Sequence, residues 1–136
     1  MTNPSGLFEA EWTYRSYSNN PDPAVDPNTL LFGFGALKIT EPSFGVLAGT
    51  IGGDGWQLAL RGAITYGNPM TVRFQGTGVV DGEPWAYDYL GFLAPDWPNG
   101  VEQQPAIVGT IVRTITHSKG QALAGVTASF IAVKRS

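Results

Sequence analysis

Cysteine is absent from all 136 residues, which removes a disulfide framework, thiolate catalysis and any cysteine-based metal site together. That absence fits a reducing cytoplasm, the expected compartment. Charge is scarce as well: Asp, Glu, Lys and Arg make up 14% of the chain, against roughly 25% in an ordinary soluble domain. Eight basic and eleven acidic residues leave a net charge of −3, with no basic cluster. No nucleic acid partner is expected, because neutralising phosphates takes several grouped Lys or Arg. One histidine and no cysteine leave only carboxylates to complete a metal site, so neither a metal nor another cofactor is expected. No apolar run approaches the ~18 residues of a membrane-spanning helix. Met1-Thr2-Asn3-Pro4-Ser5-Gly6 carries neither the basic nor the apolar region of a secretory signal.

What the chain has in quantity is glycine, proline, β-branched residues and aromatics, without sustained 3.6-residue periodicity. Turn signals cut it into short runs of similar length. The expected strands are Leu7–Tyr17, Leu30–Thr40, Phe44–Ile51, Trp56–Tyr66, Met70–Val80, Pro84–Leu93, Ala106–Thr116 and Gly125–Arg135. Asp81-Gly82 is the strongest two-residue hairpin signal, and Ser118-Lys119-Gly120 marks another turn. Two long irregular connections are expected, Ser18–Thr29 and Pro95–Pro105, the first with room for a short helical turn.

Eight strands with mostly short connections form an antiparallel meander, and closing it into an all-β, up-and-down barrel removes its edges. The whole chain, 1–136, reads as one such domain. Alternation supports a filled interior: Phe8, Ala10, Trp12 and Tyr14 alternate with Glu9, Glu11, Thr13 and Arg15, Trp56, Leu58, Leu60, Ile64 and Tyr66 with Gln57, Arg61 and Thr65, and Met70, Val72, Phe74 and Val80 with Thr71, Arg73, Gln75 and Thr77. The second and last strands are apolar on both faces, and cover by another copy in a homo-oligomer is expected. Pairing Glu9 with Arg135 closes the barrel with Trp12 opposite Ala132 and Tyr14 opposite Phe130. Lys134 then points inward, diagonal to Trp12.

Trp12 near the start of the first strand, under a basic residue from the last, resembles the calycin superfamily of lipocalins, fatty-acid-binding proteins and avidins. The Gly-x-Trp of those families is replaced here, since Ala10 and Glu11 precede Trp12. A second resemblance rests on Trp12-Thr13-Tyr14-Arg15-Ser16, Tyr87-Asp88-Tyr89, Trp97-Pro98-Asn99-Gly100-Val101 and Ala128-Ser129-Phe130-Ile131-Ala132-Val133-Lys134. These pieces look like those of small bacterial proteins without an assigned function. That likeness implies the barrel and transfers no active site.

The chemistry-bearing residues gather in and around Pro84–Gly100. Asp88 lies between Tyr87 and Tyr89, and Arg113 is placed to meet it from the next strand. Such a pair would be either a structural ion pair or a polar anchor able to move a proton. His117, at a strand end, is either a solvated residue or a general base. Trp85, Tyr87, Tyr89 and Trp97 offer stacking surfaces, with Trp97 held between Pro95 and Pro98 over a barrel mouth. Tyr14 and Ser16 share the inward face. Parity allows either Asp88 or the two tyrosines inside, not both. No Ser sits in a Gly-x-Ser-x-Gly turn, which disfavours a hydrolase triad. Glu9 and Glu11 face outward, which disfavours a glycosidase pair.

Two functions follow from the small polar inventory. One is a barrel that binds a small hydrophobic or ring-bearing molecule in an aromatic-lined cavity. The other is a cofactor-independent isomerase, cyclase or lyase in the same cavity, with Asp88, Arg113, Tyr14 or His117 moving protons. A sugar-binding or interaction protein using the outer aromatics is the third reading.

Overall fold

The computed structural model describes residues 6–94 and 97–135. Pro95, Asp96 and the chain ends, parts of two stretches singled out above, lie outside the described residues. Eight strands run β1 (Ala10–Ser18), β2 (Leu31–Ser43), β3 (Val46–Gly53), β4 (Trp56–Thr65), β5 (Thr71–Val80), β6 (Glu83–Ala94), β7 (Ala106–Arg113) and β8 (Thr127–Val133). Each pairs antiparallel with its chain neighbour, and β1 pairs with β8, so the sheet closes into an up-and-down barrel. A 3-10 turn at Pro27–Leu30, capped by the Asp26 carboxylate on the Asn28 amide at 3.0 Å, sits in the β1–β2 connection.

Closure occurs two residues away from the expected register. Trp12 faces Lys134 rather than Ala132, and Ser16 faces Phe130. Arg135 meets Glu11 instead of Glu9, through a backbone hydrogen bond of 2.9 Å and a side-chain ion pair of 3.5 Å. A slip of two preserves the face of every side chain, because strand side chains alternate with period two. The inward set therefore stands as expected except for Tyr66, which lies just past β4, 37% exposed and stacked on Phe44 at 5.1 Å. The cation over aromatic rings, among the described residues, is Arg113 rather than Lys134.

The interior is filled at one end and through the middle. Trp12, fully buried, donates its indole N–H to the Phe8 carbonyl at 3.0 Å and stacks on the Phe8 ring, with Leu37, Ile39, Leu47, Ile107 and Ala132 buried with them. This plugs the end at which β1 starts. Across the middle lies an aromatic layer: Phe74 stacks on Tyr89 at 4.7 Å, and Phe130 sets its edge against Tyr89 at 5.5 Å. Gly35 lies opposite Tyr14, and a Cβ there would run into the backbone carbonyl of Gly52, so β2 and β3 approach closely only because the residue is glycine.

A bulge at Phe32 of β2, opposite the Ser16–Tyr17 step of β1, shifts the register, so that Tyr17 pairs with Leu31 and Ser16 with Gly33. Phe32 thereby turns toward the interior while Phe34 remains 57% exposed on the outer wall. Outside, Phe92, Val108, Ile131, Arg15 and Phe34 are successive cross-strand neighbours and form one row over five strands.

A third long connection was not expected: residues 114–126 join β7 to β8, since β7 ends at Arg113 and β8 starts at Thr127. Within it His117 and Ala122 exchange backbone hydrogen bonds of 2.9 and 3.1 Å around a tight tip. Ser118, Lys119 and Gly120 all take positive φ there, consistent with the turn read from those residues.

With Trp12 wholly buried in the plugged end, Trp12→Ala is expected to destabilise the barrel by about 3–5 kcal/mol. Denaturant unfolding checks this, and a loss below about 1 kcal/mol would contradict the packing.

Candidate functional site

The barrel is hollow at the end opposite the Trp12 plug, where β1, β3, β5 and β7 finish. The cavity there has a volume of about 320 Å³, at the lower end of the range of small-molecule sites, roughly 300–1,000 Å³. Tyr14 and Tyr89 from the aromatic layer form its floor, Trp56, Trp85, Phe32 and Ile111 its walls, and His117, Ser118 and Ala122 of the 114–126 loop its rim. Gly33 leaves part of the wall without a side chain.

Four polar groups run in a chain along one wall. Arg113 pairs with Tyr87 across the β6–β7 ladder, so both point inward. Its Nε–H donates to the Tyr87 hydroxyl at 3.0 Å, and that hydroxyl lies 2.7 Å from His117 Nε2. His117 Nδ1 in turn lies 2.8 Å from the Ser118 hydroxyl. The protonation pattern that also gives the Tyr87 hydroxyl proton an acceptor has Tyr87 donating to Nε2 of a neutral imidazole, whose Nδ1–H donates to Ser118. The imidazole is 5% exposed and stacks on Trp85 at 4.0 Å. Arg113 lies over the Phe32 and Tyr87 rings at 5.1 and 5.6 Å and donates from Nη1 to the Leu123 carbonyl at 3.2 Å.

Burial, and then the Arg113 charge, lower the His117 pKa below its ordinary 6.5, with the Glu83 carboxylate at the rim opposing them. Protonation would also give Nε2 a hydrogen, forcing the Tyr87 oxygen to face two donors. Burial pushes the Tyr14 phenol up to about 12, the Ser16 and Tyr89 hydroxyls beside it holding it back in part. Burial likewise holds Tyr89 well above 10. The phenols of the floor are neutral at any physiological pH.

Six of the eight residues singled out from the sequence come together here: Tyr14, Trp85, Tyr87, Tyr89, Arg113 and His117. Two do not. Asp88 alternates with the inward Tyr87 and Tyr89 and faces the outer wall, where Gln75 and Val112 are its cross-strand neighbours. It therefore forms no pair with Arg113; one of its oxygens is buried without a hydrogen-bond partner, in a surface depression shared with Arg61 and Arg73. Trp97 is 70% exposed in the β6–β7 connection, at the plugged end, so the mouth opens opposite to where it was expected.

Sequence reasoning missed Phe32, Gly33, Ile111, Ser118 and Ala122 and read Trp56 as plain core. A strand holding Gly33 and Gly35 was the available signal for a bulge that would turn Phe32 inward. Ser118 was read as part of a tight turn and Ala122 as part of a short connection, because both flanking strands were drawn too long for a loop over the mouth.

The single histidine makes its titration directly readable. The imidazole proton resonances are expected to titrate below pH 6.5. An unfolded His117 takes its proton before the folded one, so stability falls as pH drops through 6.5 and continues to fall until the folded ring is itself protonated. His117→Gln removes that part of the pH dependence. Titration above 6.5 would contradict the burial and the hydrogen-bond chain.

No family model, curated protein or solved structure matches this chain significantly, so its functional reading rests on the barrel's own geometry.

Proposed function

We propose that this protein is a small-molecule-binding barrel whose hollow end holds a ring-bearing ligand. The observation that carries the reading is the cavity of about 320 Å³ walled by Tyr14, Phe32, Trp56, Trp85 and Tyr89 and open toward the 114–126 loop. Flat π faces on several sides suit a planar apolar body, and few polar groups fix its direction. Binding is favoured over turnover because burial shifts the Tyr14, Tyr89 and His117 side chains toward their uncharged forms. The floor phenols hold their protons, and His117 is neutral with both nitrogens in hydrogen bonds. The outward Asp88 also takes the carboxylate base away from the acid–base reading.

Gly33 provides a way to fill the cavity without disturbing the fold. A Cβ there meets Ser16 and Tyr14 only at ordinary contact distances of 3.5 and 3.8 Å. Gly33→Leu is expected to abolish binding of one- and two-ring molecules, followed by quenching of Trp56 and Trp85 fluorescence, while the thermal midpoint stays within a few degrees. No saturable binding to wild type across such a panel, or binding unaffected by Gly33→Leu, would overturn the reading.

The same proposal includes assembly. The outer row of Phe92, Val108, Ile131 and Phe34, interrupted by Arg15, is the face on which a second copy would pack. Sedimentation equilibrium is expected to give a mass above that of one chain, lowered by Ile131→Lys. A dilute wild-type monomer would end this part.

A further inference from the structure

We infer that the cavity takes an anion, a small aromatic carboxylate whose ring lies among the wall aromatics and whose carboxylate sits on Arg113. The inference rests on the binding reading above and narrows its ligand class.

Arg113 is the one formally charged side chain in the cavity lining, and among the described residues it has no carboxylate partner. Of a guanidinium's five N–H groups, the one on Nε goes to Tyr87 and one on Nη1 goes to the Leu123 carbonyl. That leaves three without a protein acceptor among the described residues. A half-buried cation over the Phe32 and Tyr87 rings carries a desolvation cost that an anion in the cavity would offset. The neighbouring acid, Glu83, is engaged at the rim with the Lys119 amide at 3.0 Å and makes no ion pair with Arg113.

The guanidinium is also held in place before any ligand arrives. Two hydrogen bonds and two ring faces fix its plane, so little side-chain freedom remains to be lost on binding. A planar guanidinium with free N–H groups matches a carboxylate through paired hydrogen bonds. The neutral His117 and the neutral floor phenols add no negative charge that would repel it. A volume near 320 Å³ fits one or two fused rings bearing the acid and excludes a long acyl chain in an extended form.

The test compares three isosteric probes by isothermal titration: naphthalene-2-carboxylate, naphthalene-2-carboxamide and 2-naphthylmethylammonium. Wild type is expected to bind the carboxylate at least about tenfold more tightly than the carboxamide, since a hydrogen bond to a charged partner outweighs a neutral one. The ammonium is expected to bind weakest. In Arg113→Gln the ratio of carboxylate to carboxamide affinity is expected to collapse toward one, while Arg113→Lys keeps part of it. Equal affinities in wild type, or a carboxylate preference that survives Arg113→Gln, would overturn the inference and leave the binding barrel intact. Failure of all three probes to bind would instead sink the binding reading and this inference with it. Should Arg113→Gln not fold, the order of the three probes on wild type decides alone.

Discussion

Closure of the sheet is the constraint on which everything else depends. A meander of eight strands can present its alternating apolar set to a common interior only if the first strand also pairs with the last. Here Arg15, Ser16, Tyr17 and Ser18 of β1 pair with β8 while Ala10 to Tyr17 pair with β2. That double engagement gives Trp12, Tyr14 and Ser16 one direction. It is also what brings Phe130 from the far end of the chain against Tyr14 and Tyr89.

The closed interior is not filled evenly. Bulky residues crowd the Trp12 end and the middle, whereas Gly33, without a side chain, leaves room at the other. The aromatic layer of Phe74, Tyr89, Phe130 and Tyr14 divides the two regions. Below it, among the described residues, the plug is apolar apart from the hydrogen bond of the Trp12 indole to the Phe8 carbonyl. Above it the polar chain Arg113–Tyr87–His117–Ser118 begins, each member hydrogen-bonded to the next. Buried polar groups persist only when paired in this way, and the pairing joins the β6–β7 ladder to the loop that rims the cavity.

Much of this was legible in the sequence because period-two alternation is strong in β1, β4 and β5. The strands, their order and the inward faces of Phe8, Trp12, Tyr14, Leu58, Leu60, Val72 and Phe74 followed from it. Closure register was less legible, since a shift of two residues leaves every face unchanged and the pattern cannot distinguish the alternatives. Asp88 illustrates the limit of adjacency: lying between two inward tyrosines guarantees that it points out. The end of the barrel that opens was not legible at all. Pro95–Pro105 announces itself through proline and asparagine, whereas 114–126 is rich in Thr, Ile and Val near its ends and reads as strand. The hydrogen bonds that turn it over the mouth come from tertiary neighbours such as Glu83 and Ala86.

The hollow end also receives two of the three long connections, the one bearing the Pro27–Leu30 turn and the 114–126 loop. Residues that fill the plug and residues that line the cavity thus occupy different halves of the molecule. Substitutions around the rim can accumulate with little effect on the plug, so under the binding reading proposed above the shape of the cavity can change while the stability of the barrel is inherited.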